Sequence, residues 1–179
     1  MIQHHLDLPS PWSAEYLHGT AADGARLARW MKQDYLVNTW DQAWTPERWA
    51  SVLHRHATSS DVSAFLVHHE AQPFAYIEVY ELASSPLAEH GSWASDDMGF
   101  HIAVVEPRKL GRGLARRLVG DLCGAIFTHY GSAELIAVEP NEENKRIIRL
   151  LEHSGFTLLK TVRLPQKRAA VMVLPRPTG

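Results

Sequence analysis

The chain has 179 residues, 45% of them hydrophobic and 21% charged, with a formal net charge of −2. This fits a soluble globular protein of one domain and gives no global electrostatic case for binding nucleic acid or an anionic membrane. A single cysteine, Cys123, excludes an internal disulfide framework. The start, "MIQHHLDLPSPW", lacks a basic segment followed by an apolar one, and no stretch approaches the roughly 18 apolar residues of a membrane span, so a cytoplasmic location is expected.

A first strand is expected near 2–8. Residues 23–37 place Leu27, Trp30 and Met31 near a 3.6 period, which predicts a helix with Asp23 as its N-cap. Thr45 and Pro46 open a second helix over 45–57, with Trp49, Val52, Leu53 and His56 on one face. Residues 62–70 and 73–82 read as strands joined by a tight turn, with Phe74, Tyr76, Glu78 and Tyr80 sharing one face of the second. A surface loop over 83–95 precedes a strand over 98–106 that is apolar on both faces. Leu114, Leu118, Leu122 and Ile126 mark a helix over about 111–130, and Cys123 in their stripe reads as buried and inert. A strand over 133–139, a helix over 141–155 capped by Asn141 and stopped by Gly155, and a final antiparallel pair complete the chain. The expected class is α/β (α+β by some schemes): a mixed, mostly antiparallel sheet with helices, built on a β-α-β-α centre.

Between strand and helix lies "VVEPRKLGRGLARRL" (104–118). Glycines at a helix N-terminus suit a phosphate, because the first N–H groups point outward and a bare backbone admits close approach. A plain tight turn is the alternative. Neither the Walker A nor the dinucleotide spacing is present.

These residues resemble the pyrophosphate loop of the GNAT acyltransferase superfamily. Pro107, Gly111, Gly113 and Ala115 match its pattern, as do "ELIAVEPNEENKRIIRLLEHSGF" with Asn144 and Gly155-Phe156 downstream. The likeness covers 96–160. Leu110 stands where the superfamily has Arg or Gln, and Leu151 where many members have a tyrosine acid. The resemblance implies one GNAT domain over 1–179 with an acyl-CoA-binding centre at about 98–156. It further implies coenzyme-A contacts from Ala103, Val104, Val105, Leu110, Gly111, Arg112, Gly113, Leu114, Ala115 and Asn144.

Five further segments, in order, resemble the branch that acetylates hydroxylysine in hydroxamate siderophore biosynthesis: "VNTWDQAWTPERW", "PFAYIEVYEL", "DDMGFHIAVVEP", the "EPN" turn and "LPQKRAAVM". The implied reaction moves acetyl or another short acyl group from acyl-CoA to an N-hydroxylated side-chain amine. Such a nitrogen is largely neutral near pH 7 and needs modest base help plus positioning. His101, in the central strand, is the expected general base, a satisfied core histidine being the alternative. Trp40, Trp44, Glu78, Tyr80, Asp97 and Asn141 are the expected substrate contacts. Against this, the tryptophans could belong to the core, Glu78 could pair with an arginine, and Asn141 could be a simple helix cap. No His spacing suggests a metal, and a monomer or homodimer without nucleic-acid or membrane partners is expected. The rivals are an aminoglycoside 6′-N-acetyltransferase and a non-catalytic CoA-binding module.

Overall fold

A computed structural model describes residues 5–178. The elements run β1 (Trp12–Tyr16), α1 (Ala21–Trp30), α2 (Asp34–Trp40), α3 (Pro46–Thr58), β2 (Val62–His69), β3 (Gln72–Glu81), β4 (Met98–Val104), α4 (Leu114–His129), β5 (Leu135–Val138), α5 (Lys145–His153), β6 (Thr157–Arg163) and β7 (Arg168–Pro175). The strands lie in the order β1-β2-β3-β4-β5-β7-β6. β4 and β5 are parallel, while β1–β2, β5–β7 and β6–β7 are antiparallel. The strand expected near 2–8 falls in part on residues 1–4, outside the described residues; residues 5–8 form no strand. Two compact units divide the chain, one running up to Glu78 and including Ile102–Arg108, the other holding Val79–His101 and the residues from Lys109 onward.

In the first unit, the helix expected over 23–37 is two helices, and its cap is Thr20 rather than Asp23. The Thr20 hydroxyl accepts from Asp23 N at 3.1 Å, and the Asp23 carboxylate accepts from Thr20 N at 3.0 Å. That reciprocal box fixes the start three residues earlier than the apolar period suggests. The break follows from a tertiary bond. Gln33 adopts extended backbone as the cap of α2 and donates through Nε2 to the Val105 carbonyl at 2.9 Å. The α3 boundaries, Thr45 cap and Pro46 start match expectation. Leu27, Met31, Trp49, Leu53, Leu66, Tyr76, Ala103 and Val105 share one apolar core, against which Trp40 and Trp44 pack part-buried.

In the second unit, the α4 stripe Leu118, Val119, Leu122, Cys123, Ile126 and Phe127 is buried as its period requires. The helix starts only at Leu114, because Gly113 takes the N-cap with φ 74°. The far end of α4 is pinned by Arg176, whose guanidinium donates to the carbonyls of Ala133, Phe127, Tyr130 and Gly131 at 2.7–3.1 Å. α5 is shorter than expected: its cap is Asn144, accepting from Ile147 N at 3.3 Å, not Asn141. The pairing of β4 with β5 runs through Met98↔Ile136 and Gly99↔Ala137. His101 lies two residues past that register on β4, and Glu139 directly follows the last residue of β5.

Candidate active site

The strand period of two puts Gly99 and His101 on one face of β4. Three elements bring acid, base and hydroxyl together there. Glu139 is buried at 4% exposure, an unusual place for a carboxylate. Its Oε1 meets His101 Nε2 at 2.5 Å. Its Oε2 accepts from the Tyr80 hydroxyl at 2.7 Å. Lys167 Nζ stands 3.8 Å from Oε1. Burial alone would push the Glu139 carboxyl up. The His101 charge and hydrogen bond, then Lys167 and the Tyr80 hydroxyl, outweigh that and hold it down to about 2. Glu139 is therefore a fixed negative charge across the whole physiological range.

A fixed carboxylate at Nε2 decides the tautomer of His101. When His101 is neutral, its proton sits on Nε2, facing Glu139, and Nδ1 is the basic nitrogen. The His101 side chain is 32% exposed against 3% for Glu139. The imidazole is anchored through Nε2 in a dry site while part of the side chain reaches solvent, an arrangement compatible with a general base. The Tyr80 ring lies beside it, tilted at 46°, with ring centroids 4.8 Å apart.

Gly99 explains the Gly-x-His spacing. A Cβ built there would lie 2.3 Å from Tyr80 Cε2, 2.6 Å from Cζ and 2.8 Å from the Ala137 carbonyl oxygen. The bare α-carbon is the slot in which the tyrosine ring rests. Gly99→Ala should push the ring off and loosen the Glu139 carboxylate it holds. We expect a stability loss of about 1–3 kcal/mol, as for other overpacked sites, together with a fall in kcat. Thermal melts and steady-state kinetics check both; a variant unchanged in each would show the slot to be unimportant.

The other expected contacts divide. Tyr80 is buried and its hydroxyl donates to Glu139, so it braces the carboxylate from within. Asp97 is buried, and its two oxygens accept from Ala94 N at 2.8 Å and Glu134 N at 3.2 Å, which makes it a clasp for the loop before β4. Asn141 turns back on its own chain, accepting from Glu143 N at 2.9 Å, and bridges to Ala169. In the first unit, Glu78 accepts from the Tyr76 hydroxyl at 2.7 Å and lies 3.9 Å from His56 Nδ1. The Trp40 ring lies 5.8 Å from that of Tyr76; Trp44 stacks near Trp49 and under Arg48.

Of the β4 amides, Val105 N already donates to the Phe74 carbonyl at 2.8 Å, which removes it as a ligand donor. Tyr35 and Gln33 occupy the Val104 and Val105 carbonyls, and Ala103 is buried. Beyond the strand, Gly111 (φ 76°) and Gly113 (φ 74°) turn left-handed, and a Cβ at either would meet nothing within 4 Å. The glycines are thus required by conformation, and the space before them is not filled by protein. Gly111, Arg112 and Gly113 are exposed, while Leu110, Leu114 and Ala115 are half-buried. Gly113 caps α4 without a side chain, which leaves the first-turn N–H groups of the helix outside its own ladder. Arg108 is held by Glu106, with Nε–Oε1 at 3.0 Å. Leu151 is buried and supplies no acid. Among the described residues, no group of three or more His, Cys, Asp or Glu side chains is placed to hold a metal ion, and no helix is long and apolar enough to cross a membrane.

The sequence alone did not single out Glu139 or Lys167. A signal for Glu139 existed: a carboxylate at the end of the apolar run "LIAV" must either leave the core or find partners inside it.

A family model described as an acetyltransferase (GNAT) domain matches residues 20–164. The lysine N-acyltransferase MbtK of Mycobacterium sp. (strain MCS) is 26% identical over 164 residues, 88% of this chain and 67% of that one. The N(6)-hydroxylysine O-acetyltransferase of Escherichia coli is 25% identical over 155 residues, covering 87% of this chain but 49% of its own length, so the chain spans about half of that relative. Among solved structures, the aminoglycoside acetyltransferase AAC(6')-Ib in complex with coenzyme A superposes with a TM-score of 0.79 at 25% identity, over 92% of this chain and 95% of that one.

Proposed function

Because the chain belongs to the GNAT acetyltransferase family, we propose that it moves acetyl or another short acyl group from acyl-CoA to the side-chain nitrogen of hydroxylysine, lysine or a similar diamine. With an N-hydroxylated amine the product is a hydroxamate, the iron-binding group of hydroxamate siderophores. The observation that carries this reading is the His101–Glu139 pair, a half-exposed imidazole on a buried carboxylate. The names of the relatives, one a lysine and one a hydroxylysine acyltransferase, favour an amino-acid side chain as acceptor.

The chemistry asks little beyond positioning and one proton. The amine nitrogen bonds to the thioester carbonyl carbon, the carbon–sulfur bond breaks, and the nitrogen's proton goes to His101 Nδ1. Glu139 stabilises the imidazolium so formed, as a buried carboxylate behind a catalytic histidine does. With leucine at position 151, the CoA thiolate leaves without a tyrosine acid from α5. Residues 110–115 fit the coenzyme's diphosphate: open space, left-handed glycines and the uncapped first turn of α4. Glu78, on β3, is the proposed contact for a cationic substrate group.

Gly113→Val should strain a left-handed position by about 1–3 kcal/mol and crowd those amides. We expect KM for acetyl-CoA to rise roughly tenfold or more, with kcat at saturation less affected; an unchanged KM would move the coenzyme site elsewhere. The overall reading is tested by thiol release from acetyl-, succinyl- and malonyl-CoA against hydroxylysine, lysine, hydroxyornithine and kanamycin. Turnover of a lysine-type amine well above kanamycin is expected. A preference for kanamycin would favour the aminoglycoside reading that the likeness to AAC(6')-Ib supports, and no release with any amine would favour a binding module.

A further inference from the structure

Lys167 takes no part in the reaction as described, yet it shares an oxygen with the base. It lies in the turn between β6 and β7, where Leu164 N donates to the Lys167 carbonyl at 2.8 Å and closes the hairpin. Its side chain is 28% exposed, and Nζ stands 3.8 Å from Glu139 Oε1, the same atom that meets His101 Nε2. Burial pushes the Lys167 ammonium down and the Glu139 charge draws it back up. Among the described contacts, the titratable groups around the imidazole are Glu139 after β5, Tyr80 on β3 and, across the carboxylate, Lys167.

The charge balance of this cluster follows from counting. Glu139 is one buried negative charge, and there are two groups able to be its counter-cation. Low permittivity favours the state of zero net charge. With Lys167 protonated, that state is reached while His101 is neutral. Without Lys167, the cluster reaches zero only when His101 carries a proton. A histidine locked as imidazolium has no lone pair to offer an incoming amine.

We propose that Lys167 is a positioning residue for the acyl transfer: its ammonium offsets the Glu139 carboxylate, so that His101 waits as a neutral proton acceptor. The proposal rests on His101 being the general base. It also gives the "LPQKRAAVM" segment a chemical task beyond forming the last hairpin, since the turn delivers a cation to the carboxylate's near side.

The test is the pH dependence of kcat/KM in Lys167→Met. Its acidic limb should move to higher pH by on the order of one unit, so that activity is depressed several-fold near pH 6.5 and recovers in alkali. Lys167→Arg keeps the charge and should restore the wild-type limb. The His101 Cε1–H resonance, assigned by its loss in His101→Ala, should titrate at higher pH in Lys167→Met than in the wild type, without any substrate present. Lys167→Gln serves as the second neutral variant if methionine unsettles the turn. An unmoved limb and an unmoved resonance in a folded neutral variant would overturn the proposal. If instead His101→Ala retained full turnover, the base assignment would fail, while the resonance would still report whether Lys167 governs the imidazole.

Discussion

His101→Ala should lower kcat by about 10²–10⁴-fold, the usual contribution of a positioned general base, while the Kd for acetyl-CoA stays within about twofold of wild type. The separation follows from where the residue is. His101 is tied to Glu139 and flanked by Tyr80, whereas the proposed coenzyme contacts lie at 110–115, on a different segment of the same unit. The size of the loss should also depend on the acceptor. A lysine ε-amine has an ordinary pKa near 10.4 and is almost wholly protonated at pH 7, so it must lose a proton before it can attack. An N-hydroxylated amine is already neutral there and sheds its proton only as the new bond forms. Loss of His101 should therefore be felt more with lysine than with hydroxylysine, and the gap should narrow as pH rises. Pre-steady-state thiol release over pH 6–9, with both acceptors, measures this directly. Equal kinetics in variant and wild type would remove His101 from the mechanism.

The residues whose meaning is local were legible before the fold was known. Thr45-Pro46 opened α3 as expected because a cap and a proline act within one turn. The apolar stripe of α4 was equally readable, since a helix that long must bury one face. Misplaced features depend on partners distant in sequence. The 23–37 helix breaks because Gln33 is drawn to Val105, seventy-two positions away, and no period within the segment encodes that. Tyr80 and Asp97 carry no local signal of their partners, which are Glu139 for the one and the amides of Ala94 and Glu134 for the other. The same limitation hid Glu139. The sequence shows an acid after four apolar residues, but its three partners arrive from β3, β4 and the β6–β7 turn, and only the folded sheet assembles them.

Glu139→Gln should then be disruptive in two separable ways. Catalytically, the amide cannot stabilise an imidazolium and can hold the wrong tautomer of His101, for which a loss of about 10²–10⁴-fold in kcat is expected. Structurally, Lys167 and Tyr80 lose a buried partner, and removing one member of a buried ion pair costs about 3–5 kcal/mol. The two effects carry different pH signatures. In the folded wild type the Glu139 carboxyl is held at about 2, below its ordinary value near 4.5, so the folded state prefers the ionised form. That preference is fully present above pH 4.5 and is lost as pH falls toward 2; it is worth on the order of 3 kcal/mol. Wild-type melting temperature should consequently drop steeply between pH 5 and 3, whereas Glu139→Gln, lower at pH 7, should lack that part of the slope, so that the two curves converge in acid. Parallel curves would mean that Glu139 gains nothing from ionisation in the fold. A buried, permanently charged anchor for His101 would then be excluded, whatever the variant did to turnover.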